Sequence, residues 1–306
     1  MNINKWISKN AELIKNKNIV ITGTTSGLGF EAMKHLALAF ANVVVGVRNT
    51  ERANSQIENL KKECPNAFIV AVKLDLTDPK SIKQFSVEVN KIFTDGIDAL
   101  INNAGIYAQK QKILETGFEQ HFFVNCIAPC YLSKLLLPAL EKRKNSKLVF
   151  VSSISIKGKI PNFDNIDKRD EHGDIKIYGN SKIWLTLYAL ELKNKLAKNN
   201  SNVCVNICQP GIAATSLMHY SHGKFSKFAF KFINFGMNLL FPKTKKACLV
   251  EIYSIFSKTN QNEWVCPAGI SNVYGYPKTK KLKLKKQVMA CAPKCFEIIS
   301  NEISKF

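Results

Sequence analysis

Tyr178 and Lys182 stand four residues apart in the run Tyr178-Gly179-Asn180-Ser181-Lys182, ahead of the stretch IWLTLYALELKNKL, which has the pattern of an amphipathic helix. Residues four apart on a helix share a face, so both side chains can enter one site. A free phenol has a pKa near ~10 and is a poor base at neutral pH, whereas a neighbouring ammonium favours phenolate and lowers it. The pair therefore suits general acid/base work on an alcohol or a carbonyl. A Tyr and a Lys at this spacing are common by chance, so their weight depends on what surrounds them.

A second chemical element lies near the start. The run Thr22-Gly23-Thr24-Thr25-Ser26-Gly27-Leu28-Gly29 follows a short apolar strand and precedes a helix expected to begin near Phe30. Gly23 permits a tight turn, Gly27 a close backbone approach to a pyrophosphate, and Gly29 close packing of helix on sheet, while the helix amino end supplies N–H donors. The spacing GxxxGxG departs from GxGxxG, and a purely structural glycine turn is the alternative. The next strand ends Val45-Gly46-Val47-Arg48-Asn49. An acid at that end would hold an adenine-ribose 2′-hydroxyl and repel a 2′-phosphate. Here the acid is missing and Arg48 can make the forked, charge-assisted contact that a phosphate prefers, unless it is simply a surface residue opening a helix.

These residues need strands to carry them. Short β-branched runs at residues 18–22, 42–47, 67–74, 98–102, 147–153 and 202–208 alternate with helical patterns. Such alternation implies parallel pairing by right-handed crossovers and a sheet covered on both faces, a doubly wound α/β fold. Ligands then sit at the carboxyl ends of the strands, where every motif above falls. With no linker and no repeat, the chain is expected to form one domain over residues 1–306, with a core at about 15–275 and a basic extension at 277–306.

The ordered set TGxxxGxG, Asn102-Asn103-Ala104-Gly105, strand-terminal Ser152-Ser153, YxxSK and Pro210-Gly211 resembles the short-chain dehydrogenase/reductase superfamily. The resemblance implies a Rossmann-type, mainly parallel seven-stranded sheet with helices on both faces, its last strand near residues 270–274. It implies hydride transfer between a nicotinamide and a carbonyl or alcohol carbon. Tyr178 is then the acid in the reducing direction, Ser153 polarises the substrate oxygen, and Lys182 holds the nicotinamide ribose and lowers the phenol pKa. Asn125, in FFVNCIAP, matches the residue that anchors a water in the proton relay. Asp75 and Leu76, in KLDL, match an adenine contact, and Asn102, Ala104 and Gly105 line the adenine side of the cleft. Pro210, Gly211, Ile212 and Thr215 match the segment on the carboxamide and phosphates. With Gly23, Thr25, Ser26, Gly27, Leu28, Gly29, Arg48 and Asn49 they make a site for NADP (NADPH).

Ser153 and Tyr178 are 25 positions apart, about twice the separation of smaller members, and the inserted NFDNIDKRDEHGD is polar. That insertion, the VRN after the second strand and FFVN ahead of a Leu-rich helix resemble the retinol dehydrogenase and WW-domain oxidoreductase branch. A small lipophilic carbonyl or alcohol, retinoid-, steroid- or aldehyde-like, is the substrate this implies. The amino-terminal membrane anchor of many retinol dehydrogenases is expected to have no counterpart, and residues 219–241 carry no retinoid signature. Phe225, Phe228, Phe232, Phe235 and Leu239 fall near helical spacing, as an aromatic lid over an apolar ligand or as an ordinary helix covering core.

With 46% hydrophobic residues the 306-residue chain can bury a sizeable core, which excludes a disordered polymer. The formal charge of +21 would attract nucleic acid, anionic lipid or a phosphorylated ligand, yet the lysines are spread along the chain as compositional bias would spread them. The run PKTKKLKLKKQ holds six lysines between Lys278 and Lys286 and could dock on an anionic membrane, bind nucleic acid or be a solvated tail. No nucleic-acid motif accompanies it, and no specific nucleic acid is expected as partner; a homo-oligomer is left open. The nine cysteines contain no CxxC pair and are expected as reduced, mostly buried thiols; the histidines show no metal-ligand spacing. The first residues carry no long apolar run for a signal peptide or anchor, so a cytoplasmic protein is expected, peripheral membrane contact remaining open. A cofactor-binding sensor or scaffold acting through its basic surface is the competing class, against which the complete acid/base set counts.

Overall fold

The computed structural model describes residues 2–107, 109–167, 174–211 and 244–306. Its centre is an eight-stranded sheet in the order β3-β2-β1-β4-β5-β6-β7-β8. The strands are β1 (Asn18–Thr22), β2 (Asn42–Val47), β3 (Ile69–Lys73), β4 (Ala99–Asn102), β5 (Ser146–Val151), β6 (Val203–Cys208), β7 (Glu263–Pro267) and β8 (Pro277–Lys281). The first seven pair in parallel and β8 is antiparallel to β7.

The doubly wound class is as expected, but the count of seven strands is corrected to eight, and the last parallel strand is not at 270–274. That segment contains a 3-10 turn, Ile270–Asn272, in which Ser271 and Asn272 take positive φ of 54° and 61°. A strand cannot pass through two such residues. The run Glu263–Pro267 serves instead, and β8 is drawn from the basic segment placed outside the core. Lysine on an edge strand keeps an unpaired ladder in water and discourages association with other strands.

The core follows from strand alternation. Ile19 and Ile21 point to one face and Val20 to the other, all three fully buried, because helices cover both sides. The helices α1 (Ile3–Asn10), α2 (Gly27–Leu38) and α3 (Thr50–Glu63) lie on the Ile19 face, with α8 (Thr244–Ala247) and α9 (Leu249–Ser254). On the Val20 face pack α4 (Pro79–Ile92), α5 (Gln120–Phe122), α6 (Ala128–Glu141) and α7 (Asp174–Lys198). After the short α10 (Lys286–Met289), α11 (Ala292–Ile303) joins that face. Local signals mark the starts: Asn49 accepts from Arg52 N and Asp78 from Lys80 N, each satisfying an otherwise unpaired amide at a helix entry. α2 begins at Gly27, three residues earlier than expected from the apolar pattern.

Both ends extend beyond the expected core. Trp6 of α1 packs against Tyr253 and Phe256, and α11 buries Ala292, Cys295, Ile299 and Ile303. Residues 277–306 are thus no solvated tail. α11 also explains why α7 is not a one-sided amphipathic helix: its residues from Asn180 to Leu190 are all buried, with the Tyr188 ring stacked on Phe296 at 5.0 Å. Among the described residues one helix, Gln120–Glu141, is long and apolar enough to cross a membrane, and most of it is buried inside the fold. All nine cysteines are thiols, seven of them buried.

Candidate active site

β1 and β4 are neighbours although three crossovers separate them in sequence, so a crevice opens at their carboxyl ends, where the strand order reverses. The glycine loop fills one wall. Gly23 and Gly27 take positive φ of 75° and 64°, and a Cβ on Gly29 would lie 2.3 Å from the Gly23 carbonyl oxygen. Asn103 staples this loop by donating to the carbonyls of Thr22 (2.6 Å) and Gly23 (3.1 Å), while Ala104 N donates to the Thr22 hydroxyl. Thr24 Oγ1 is buried with no hydrogen-bond partner. A buried orphan beside a glycine loop and a helix amino end fits a ligand that brings its own oxygens, as a dinucleotide pyrophosphate does.

The other expected cofactor residues line the same edge. Asn102 donates to Ser133, which leaves its Oδ1 buried and unpartnered. Arg48 and Asn49 are exposed at the end of β2, where Asn49 caps α3. Asp75 accepts from both the amide and the hydroxyl of Thr77, and Leu76 is buried. Thr25 gives its carbonyl to Gln56, while Ser26 and Leu28 sit at the amino end of α2. Lys73, absent from the sequence-based set, donates to the Arg48 carbonyl at 2.6 Å and adds a second cation there. An alternating parallel strand ending in Lys beside β2 was the available signal.

Asn125, Ser153, Tyr178 and Lys182 converge beyond the glycine loop, from three segments. Asn125 lies in a π-helical turn, Phe123–Ile127, set between α5 and α6. Single π turns within α-helices often mark functional positions because the extra residue re-aims a side chain. Its Oδ1 accepts from Ile106 N (2.8 Å), and its Nδ2 donates to the Ile106 carbonyl (2.9 Å) and Ser181 Oγ (3.1 Å). Ser181 donates in turn to the Tyr178 carbonyl. Lys182 donates to the Val151 carbonyl at 2.8 Å, and its ammonium lies 5.8 Å from the Tyr178 ring centre. A Cβ on Gly105 would stand 3.1 Å from Asn125 Oδ1 and 3.6 Å from Lys182 Nζ, so the missing side chain keeps this space open.

The electrostatics correct one expectation. Burial pushes the Tyr178 phenol up to about 12, and the neighbouring Ser153 hydroxyl offsets only part of that. Lys182 does not bring it down; burial lowers the lysine itself to about 8, against weaker support from Cys126, Cys208 and Glu251. Desolvation of both groups therefore outweighs their attraction. Tyr107, another residue missed from sequence, meets Tyr178 edge-on at 5.1 Å and helps to keep its proton on.

Pro210 and Gly211 are held by Gln209, whose side chain accepts from Gly211 N and donates to the Asn272 carbonyl. Ile212 and Thr215 lie outside the described residues, as does the aromatic run 225–241. The first part of the insertion is anchored: Phe163 packs edge-on against Trp184 at 5.5 Å, the Ile166 carbonyl accepts from Asn180, and Asp167 accepts from Glu119 N.

A Rossmann-type sheet with an acid/base cluster at its switch point defines a nicotinamide-dependent oxidoreductase. The model of the short chain dehydrogenase family matches residues 17–224, and the chain belongs to that family. Over 217 residues it is 33% identical to a short-chain dehydrogenase, TIC 32 B, chloroplastic, of Brassica napus, covering 68% of this chain and 67% of that one. Over 214 residues it is 31% identical to retinol dehydrogenase 13 of Homo sapiens, covering 69% and 63% respectively, which places it with the retinol dehydrogenase-like branch. An uncharacterized protein from Mycobacterium Paratuberculosis superposes with a TM-score of 0.72 at 24% identity, over 95% of this chain and 94% of that one, and shows the same fold.

Proposed function

We propose that this chain transfers a hydride between NADPH and the carbonyl or alcohol carbon of a small lipophilic substrate. The observation that carries it is the convergence of Tyr178, Lys182, Asn125 and the Ser153 turn at the carboxyl ends of β4, β5 and β6, beside the glycine loop. When bound, the nicotinamide supplies the hydride at the carbonyl carbon. Tyr178, which holds its proton firmly, then gives it to the carbonyl oxygen, completing an alcohol. Ser153 would orient that oxygen, and Lys182 would hold the nicotinamide ribose. Asn125 spends its amide on Ile106 and Ser181, which makes it a positioning residue for the backbone on either side of the cleft. The preference for NADPH is supported by Arg48 after β2, where Val47 stands in place of a ribose-binding acid, with Lys73 from the end of β3 bonded to the Arg48 carbonyl, and the lipophilic class by kinship with a retinol dehydrogenase.

The test is calorimetric titration with NADPH and NADH, followed by NADPH consumption over retinoid, steroid, quinone and small aldehyde carbonyls. Tighter NADPH binding and turnover of apolar carbonyls are expected. A chain that binds NADPH and turns over none of them would be a sensor rather than an enzyme.

A further inference from the structure

The lysine run has a structural role that catalysis does not use. Pairing of β7 with β8 sets Trp264 opposite Lys280 and Cys266 opposite Lys278 on one side of the ladder. A cavity of about 370 Å³ opens beside it, lined by Lys157, Lys280, Lys281, Lys283, Trp264 and Leu282 among others. No acidic side chain is among its described lining residues. Lys157 arrives from the turn after Ser153, on a different part of the chain, yet it and Lys280 both bear on the Cys266 thiol, drawing it down against the burial that raises it.

Lys280 is held in place by bonds to the Ala268 carbonyl (2.9 Å) and Asn272 Oδ1 (2.8 Å), neither of which cancels its charge. Lys281, next to Lys280 on the strand, faces the other side of the sheet and stands across from Glu263, so Lys157, Lys280 and Lys283 supply the charge of the concavity. Like charges gathered there repel each other unless an anion enters. Trp264 is 3% exposed, and its indole Nε1 has no hydrogen-bond partner. An orphaned buried donor calls for an acceptor. Trp264, Leu282 and Ile156 meanwhile give the cavity an apolar side.

We propose that this cavity binds a small ligand through a phosphate or comparable multivalent oxyanion, with the ligand's apolar part against Trp264 and Leu282. Enclosure favours a soluble molecule over a flat lipid surface, because the lysines line a hollow. None of its lining residues belongs to the glycine loop or to the Asn125, Ser153, Tyr178 and Lys182 cluster, so it would be occupied alongside the cofactor.

The probe is inorganic pyrophosphate, titrated calorimetrically into the full chain and into its Arg48→Ala form, which weakens phosphate binding at the cofactor end only. Saturable binding is expected in both, with a shift of the Trp264 indole proton resonance, assigned by its loss in Trp264→Phe. Lys280→Gln combined with Lys283→Gln should weaken binding roughly tenfold or more, as loss of charge-assisted contacts does. Lys5→Gln combined with Lys305→Gln, remote in the chain, should leave it unchanged at equal total charge. Lys283→Gln alone, at an exposed side chain, serves as the second variant should the double one melt early. Failure to bind pyrophosphate at millimolar concentration overturns the proposal. So does equal weakening by the remote pair, or loss of binding in Arg48→Ala. Binding to phosphatidylglycerol vesicles without binding to pyrophosphate would assign the lysines to a membrane surface and also overturn it.

Discussion

Tyr178→Phe deletes one oxygen at the centre of the cluster and little else, since the ring keeps its edge-on contact with Tyr107. Burial holds the Tyr178 phenol at about 12. At about pH 9 only about one such phenol in a thousand is ionised, against about one in ten for an unperturbed tyrosine. The side chain is therefore a proton donor over the physiological range, suited to the reducing direction. Its removal should cost about 10²- to 10⁴-fold in turnover, the usual worth of a positioned acid, with cofactor affinity nearly unchanged. An ultraviolet difference titration of wild type minus Tyr178→Phe, from about pH 6 to about pH 10, should show no tyrosinate signal belonging to this residue. Lys182→Met should leave that silence intact, because the ammonium is not what sets the phenol, while damaging turnover. A tyrosinate that appears near neutral pH in wild type and vanishes in Tyr178→Phe would refute the dominance of burial. A variant keeping most of its turnover would remove Tyr178 from the mechanism.

Glu251 is fully buried with neither oxygen bonded, and burial raises it to about 8 from 4.5. Its contribution to stability is fully present below the unfolded value and lost as pH rises through about 8, so Glu251→Gln should gain in melting temperature over wild type at pH 9 relative to pH 5; an equal difference at both would sink this. Asp167→Ala leaves the buried Glu119 amide without its acceptor and should cost about 1–3 kcal/mol in chemical denaturation; no loss would mean water replaces it. Arg48→Ala should weaken NADPH by about ten- to a hundredfold and NADH hardly at all. Calorimetry showing equal losses would reject the phosphate contact.

The first six parallel strands were legible to within about two residues, but the seventh, Glu263–Pro267, was expected at 270–274. β1 and β2 are continuous β-branched runs because both faces are covered, and a sequence shows such runs directly. Tyr178 and Lys182 were legible because a spacing of four is a property of the helix itself. The eighth strand was not, since Pro277–Lys281 becomes a strand only by pairing with β7, and its lysines suit an edge as well as they suit a tail. Helix α7 was misread for a similar reason: the partner that buries its outer side, α11, lies about a hundred residues further on. The phenol pKa was misjudged because an ammonium in the sequence is visible, whereas the desolvation that outweighs it exists only once the chain is packed.

The π turn at Phe123–Ile127 makes Asn125 dependent on how many residues the chain contains there, as well as on which. A helix advances about 100° per residue, so deleting Val124 would let the turn relax to a regular α-helix and swing Asn125 out of reach of Ile106 and Ser181. Every side chain named in the cleft would still be present. Substitution scanning, which preserves length, would pass over this, and only deletion or insertion in the turn would expose it. Part of the site is thus encoded as a count, an inheritance that drifts only by gain or loss of a codon.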